Sequence, residues 1–152
     1  MNVVETYFFI LGLVNSIVLI AIFLIRKNRL DLIQRFGWIY LLLSIPAIFG
    51  IFLAARAGQF AQHGVFLVIF LAFLLVEWLY DYVFKTNFRQ DMRKNWKAVA
   101  PYLALYYAMN YGFIVLPWKA SIAWGLGMLG LFLVQLVANL RSHPRSKADE
   151  DF

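Results

Sequence analysis

Apolar residues fall along the chain in five long runs, over residues 7–25, 36–55, 65–84, 98–116 and 120–140, separated by short stretches that are alternately rich and poor in charge. Each run is close to the ~20 residues that a helix needs to cross the hydrocarbon core at 1.5 Å per residue. The runs are continuous rather than alternating, which argues against barrel strands, and lipid forces each backbone N–H and C=O to pair inside its own segment. The expectation is an all-α, polytopic membrane bundle of five transmembrane helices. It forms one domain over residues 1–140, and a short polar tail follows at 141–152.

Two positions qualify this pattern. Pro46 sits in the middle of the second run, with Ser44 two residues before it, and predicts a kink there. Leu116-Pro117-Trp118-Lys119 divides a stretch too long for one crossing. Proline is disfavoured inside a helix and a lysine beside a tryptophan suits the membrane surface, so a tight turn between two antiparallel helices is expected at this point. The start, Met1 to Glu5, has neither the positive charge nor the cleavage site of a signal peptide, so the first run is expected to stay as a span.

Charge gives the expected orientation. Arg26, Lys27, Arg29 and Arg35 lie between the first two runs. Lys85, Arg89, Arg93, Lys94 and Lys97 lie between the third and fourth, and Arg141, Arg145 and Lys147 follow the fifth. Five crossings put all three groups on one side and leave only Arg56 and Lys119 on the other. The positive-inside rule then places the N-terminus outside and the C-terminus in the cytoplasm, as for a multi-pass protein of a bacterial or archaeal inner membrane. The basic loops would face anionic lipid headgroups. Between the third and fourth runs, Phe88, Met92 and Trp96 recur every four residues among Arg89, Asp91, Arg93 and Lys94, a short amphipathic pattern suited to the interface.

Composition agrees with a bilayer location. Of 152 residues, 63% are hydrophobic and 14% charged, with a mean hydropathy of +0.73, whereas soluble domains run at about 45–50% apolar and about 25% charged. The net charge of +6 is confined to the loops, so it gives no basic face for nucleic acid. The absence of cysteine excludes disulfides, thiolate catalysis and cysteine metal centres. His63 precedes the third run and His143 follows the fifth, on opposite sides, so they would not share a haem. No serine nucleophile motif, phosphate-binding glycine loop or metalloprotease helix occurs. No cofactor, metal or catalytic residue is therefore assigned.

The exception to the apolar pattern is Val76-Glu77-Trp78-Leu79-Tyr80-Asp81-Tyr82, which closes the third run. Glu77 and Asp81 are four residues apart and share a face on an α-helix. Asp81 lies about one turn from the end of the run, within reach of Lys85. Glu77 lies about two turns, or roughly 10 Å, inside, where an ionisable group is costly and marks a candidate functional site. On the fourth run Tyr102, Tyr106 and Asn110 share one face, with Tyr107 and Tyr111 beside it. Counting inward from both ends sets Tyr102 level with Asp81, and Tyr106 level with Glu77. Tyr40 and Ser44 of the second run, and Gln135 and Asn139 of the fifth, fall at similar depths. Asn15 and Ser16 lie near mid-depth in an outer half otherwise without polar features.

The candidate ligand-binding residues are thus Glu77, Asp81, Trp78, Tyr102, Tyr106, Asn110, Ser44 and Gln135. A protonatable acid among aromatic rings suits a small cationic or amphipathic molecule, bound or transported from the cytoplasmic side. This chemistry is similar to that of small multidrug-resistance transporters, although the span count differs and no motif is shared. Two other function classes fit the same chain. One is a non-catalytic membrane subunit or scaffold, since small residues on the fifth run, including Ser121, Ala123, Gly125, Gly127 and Gly130, permit close helix packing within the chain, with a partner or with a second copy. The other is a lipid-modifying enzyme using Glu77 and Asp81 as acid and base.

Overall fold

The computed structural model describes residues 1–85, 88 and 92–142. Six helical elements account for nearly all of them. They are α1 (Val3–Asn28), α2 (Leu30–Phe36), α3 (Trp38–Arg56), α4 (Phe60–Val83), α5 (Trp96–Ala120) and α6 (Ile122–Ser142). All except the seven-residue α2 are long and apolar enough to span a membrane, which makes five spans among the described residues. The expected all-α bundle of five spans is what the chain forms.

Successive spans alternate in direction. α3 packs between α1 and α4, α5 lies against α4 and α6, and α6 returns to α1, closing the ring. α1 also reaches across to α5. The alternation collects Arg26, Lys27, Arg29, Arg35, Lys85, Arg93, Lys94, Lys97 and Arg141 at one end of the bundle, here called the basic end. Arg56 and Lys119 mark the far end.

Local chemistry sets the helix ends. Asn2 caps α1: its side chain accepts from the Glu5 N–H at 2.9 Å, and the Glu5 carboxylate accepts from the Asn2 N–H at 2.8 Å. This reciprocal pair satisfies two of the orphan donors at a helix start. α4 is bounded by Gly58, in the left-handed region at φ 69°, and by Lys85, at φ 48°. Both positions stop a right-handed helix. In α3 the chain tightens at Leu42 and Leu43, where N–H groups reach back three residues rather than four. Pro46, one turn on, has no N–H to give to Leu42, and this is the physical content of the expected kink. The Tyr7 hydroxyl donates to the Pro46 carbonyl at 2.7 Å and ties α1 to the bend.

Two boundaries differ from the hydropathy pattern. α5 does not turn at Leu116–Lys119. It runs through Pro117 to Ala120, and the break falls on one residue, Ser121, extended at φ −160° and ψ 131°. A proline in a last turn forfeits only one helical hydrogen bond, so it ends nothing by itself. What sets the hairpin is close packing: a β-carbon on Gly125 would lie 2.6 Å from Trp118 Cβ and 2.7 Å from its Cα. α4 begins at Phe60, before the apolar run, with a π-type turn over Phe60–Gly64. That turn carries His63 inside the bundle rather than ahead of the span. His63 is buried, edge-on to Phe8 at 5.3 Å.

The core of the far half is aromatic. Phe113 meets Phe8 at 5.0 Å and Phe70 at 5.5 Å. Gly12 lies under Phe113 and Gly112 under Phe66, so closely that a β-carbon at either would collide with the ring. Small residues thus replace side-chain volume at helix crossings, as expected for packing in lipid.

Candidate functional site

α4 carries its acid at a second irregularity. A π-type turn spans Leu79–Val83, closed by the Phe84 N–H on the Leu79 carbonyl at 2.8 Å. One residue beyond the α-helical count is accommodated there, which changes the faces of the residues that follow. Glu77 lies just before the turn and Asp81 inside it. Glu77 is 8% exposed, while Asp81 is half-buried.

The carboxylate of Glu77 accepts a hydrogen bond from the Tyr102 hydroxyl at 2.7 Å. Tyr102 is wedged between Phe73, at 5.3 Å, and Phe88, at 5.2 Å. The Tyr80 hydroxyl donates to the Ala98 carbonyl at 3.0 Å, and its ring meets Phe88 at 5.1 Å. These contacts fix the register of α4 on α5 one turn away from the count made from the ends of the runs. Hydropathy marks where a helix leaves hydrocarbon, whereas side-chain contacts decide which residues come level.

Tyr106 consequently sits one layer deeper, and its hydroxyl donates to Gln135 Oε1 on α6 at 2.6 Å. Asn110 turns back on its own helix and donates to the Tyr106 carbonyl at 2.9 Å. Beyond these lies a layer that involves α1. The Tyr40 hydroxyl donates to Asn15 Oδ1 at 2.7 Å, and Asn15 Nδ2 approaches Met109 Sδ at 3.9 Å. Tyr40 is also within electrostatic range of Glu77, Tyr102 and Tyr106. The polar groups therefore form one connected neighbourhood, to which all five spans contribute: Asn15, Tyr40, Glu77, the α5 residues and Gln135.

Of the residues singled out in the sequence, Glu77, Tyr102, Tyr106, Asn110 and Gln135 are buried in this neighbourhood. Ser44 is half-buried on α3 and Asp81 half-buried at the rim. Trp78 is not brought in. It is 44% exposed on the outer surface of the bundle, because the residue after Glu77 is rotated by about 100° on a helix. Phe88 does not join Met92 and Trp96 in the expected interfacial stripe: it is buried against Tyr80 and Tyr102, while Met92 and Trp96 are exposed. Arg89, Asp91 and His143 lie outside the described residues.

Asn15 was visible only as a lone amide near mid-span, and the Tyr40 partner that gives it a role lies on another helix. The histidine end of α4 also holds polar groups that the sequence did not assemble. Gln59 Oε1 and His63 Nδ1 are buried there without a hydrogen-bond partner among the described residues. Gln135 Nε2 is in the same state beside Tyr106. No group of three metal-ligating side chains occurs among the described residues.

Residues 34–150 match the family model of YwiC-like proteins, which is more than half of the chain. The chain belongs to the YwiC-like family. The YwiC-like region takes in α3 to α6 and so includes Tyr40, Glu77, Tyr102, Tyr106, Asn110 and Gln135. It leaves out α1 and with it Asn15. No curated protein and no solved structure matches the chain.

Proposed function

We propose that this YwiC-like membrane protein binds or transports a small cationic or amphipathic molecule, with Glu77 as its anionic anchor. The observation that carries the reading is the Glu77–Tyr102 pair, an acid about two turns inside an apolar span whose tyrosine partner is flanked by the rings of Phe73 and Phe88. A carboxylate supplies charge, and aromatic faces supply cation–π attraction in a desolvated place. An organic cation would take over the acceptor that Tyr102 now occupies. The basic end, nearest to Glu77, would face the cytoplasm by the positive-inside rule, in the inner membrane of a prokaryotic cell.

Tetraphenylphosphonium binding to the purified full chain in mild detergent tests this. Glu77→Gln is expected to weaken binding about tenfold or more, the loss of one charge-assisted contact of ~1.5–3 kcal/mol. Tyr102→Phe, which removes one donor from the carboxylate, should retain or improve it. Undiminished binding by a folded, monodisperse Glu77→Gln protein would overturn the reading.

A second reading, a non-catalytic subunit or scaffold, is favoured by the outer face of α6. Among the described residues nothing packs over Gly127 or Gly130, whereas Gly125 is already occupied by Trp118. Recovery of a stoichiometric membrane partner would favour it, and a lone monodisperse chain would count against it.

A further inference from the structure

A surface groove lies between α1 and α6, helices that do not carry Glu77. α1 and α6 part near the basic end and leave a groove of about 340 Å³, lined by Leu24, Leu133, Val134, Val137, Ala138 and Arg141. Five of these six are apolar. Ala138 is the buried floor, and Leu24, Leu133, Val134 and Val137 are exposed walls. Arg141 stands one turn beyond Val137 and Ala138, at the mouth. Lys27 stands one turn beyond Leu24 on α1, so a second cation flanks the same opening. The acid nearest to Lys27 in sequence, Asp31, lies 3.7 Å from Arg29.

An apolar trough that ends in two cations has the polarity of a phospholipid: chain below, phosphate above. We infer that this groove seats one anionic phospholipid, with an acyl chain along Leu24, Leu133, Val134 and Val137 and the phosphate on Arg141. The guanidinium offers a planar fork of donors that matches phosphate oxygens, and Lys27 adds a point charge for the headgroup. Basic pockets between spans on the positive side of a membrane recognise anionic headgroups in this manner. A zwitterionic lipid fills the trough equally well, but its ammonium meets two positive charges at the mouth. Selectivity therefore resides in the headgroup, and occupancy in the chain. The seat is separate from the Glu77 cluster and does not depend on what that cluster binds.

The test is native mass spectrometry of the full chain released from vesicles of phosphatidylglycerol and phosphatidylcholine in equal amounts. One phosphatidylglycerol should be retained with about tenfold preference, as two near-surface cations supply. Arg141→Gln should bring retention down to the phosphatidylcholine level. Val137→Trp should fill the trough and lower retention of both lipids, and Arg56→Gln at the far end should change nothing. Equal retention of the two lipids, or undiminished preference in Arg141→Gln, would overturn the assignment. So would efficient disulfide linkage of Val137→Cys chains in the bilayer, which would put a second copy in the groove; the chain has no other cysteine to confuse that result.

Discussion

The two halves of the bundle are held by different forces, and α4 shows it at its two ends. Both ends carry a π-type turn with an ionisable residue in or beside it: His63 in Phe60–Gly64, Glu77 ahead of Leu79–Val83. At the basic end the buried polar groups pair across helices, Glu77 with Tyr102, Tyr106 with Gln135 and Tyr40 with Asn15, and Gln135 Nε2 alone is left over there among the described residues. At the far end His63 and Gln59 leave polar atoms unpartnered among the described residues, and order comes from rings pressed onto glycines. The comparison teaches that a bundle in lipid can be assembled by steric fit in one half, leaving the other half free to carry polar chemistry.

Truncating the far half should therefore cost most. Phe113→Ala removes a ring packed on Phe8 and Phe70 and is expected to destabilise by about 3–5 kcal/mol, read as a fall in thermal midpoint in detergent. A smaller loss would mean that the far half is less tightly fitted than the basic half. Next comes Gly125→Ala. Its new methyl meets the Trp118 backbone, which cannot swing away, and overpacking of this kind costs about 1–3 kcal/mol.

The hydrogen bonds of the basic half should each matter less. Tyr102→Phe and Tyr106→Phe are expected to lose about 0.6–1.7 kcal/mol, the range measured for bonds between membrane helices, with Tyr102→Phe the costlier because its acceptor is a carboxylate. Equal or greater losses than Phe113→Ala would reverse the comparison. Smallest of all is Gly127→Ala, where none of the described residues stands within 4 Å of the added carbon. It should be neutral or stabilise by up to about 1 kcal/mol through helix propensity, and a large loss would reveal a partner on that face.

The architecture was legible because lipid imposes a simple code. Runs of nineteen or more mainly apolar residues leave little else to form, and the five runs reappear as α1 and α3 to α6. The polar neighbourhood was legible in membership: Glu77, Tyr102, Tyr106, Asn110 and Gln135 stood out as polar groups on apolar spans. Its pairings were not. A helix advances about 5.4 Å per turn, so an error of one turn in register exchanges Tyr102 for Tyr106 as the partner of Glu77. Register here depends on Tyr80 meeting the Ala98 carbonyl, a contact with no trace in either segment alone. The π-type turns were hidden for a similar reason. Gln59 and His63 interrupt the apolar run, so hydropathy started the span at Val65 although the helical backbone starts at Phe60. The Asn2–Glu5 cap, by contrast, was present in the sequence as an N-x-x-E signature and marks the true start of α1.

The single residue between α5 and α6 has a mechanical consequence. With Ser121 as the whole connection and Trp118 seated on Gly125, these two helices have no slack and behave as one stiff fork. Tyr102 and Tyr106 ride on one tine and Gln135 on the other, so any breathing of the bundle carries them together. Motion that exposes Glu77 must then come from parting α4 from that fork, at the cost of the Glu77–Tyr102 and Tyr80–Ala98 hydrogen bonds.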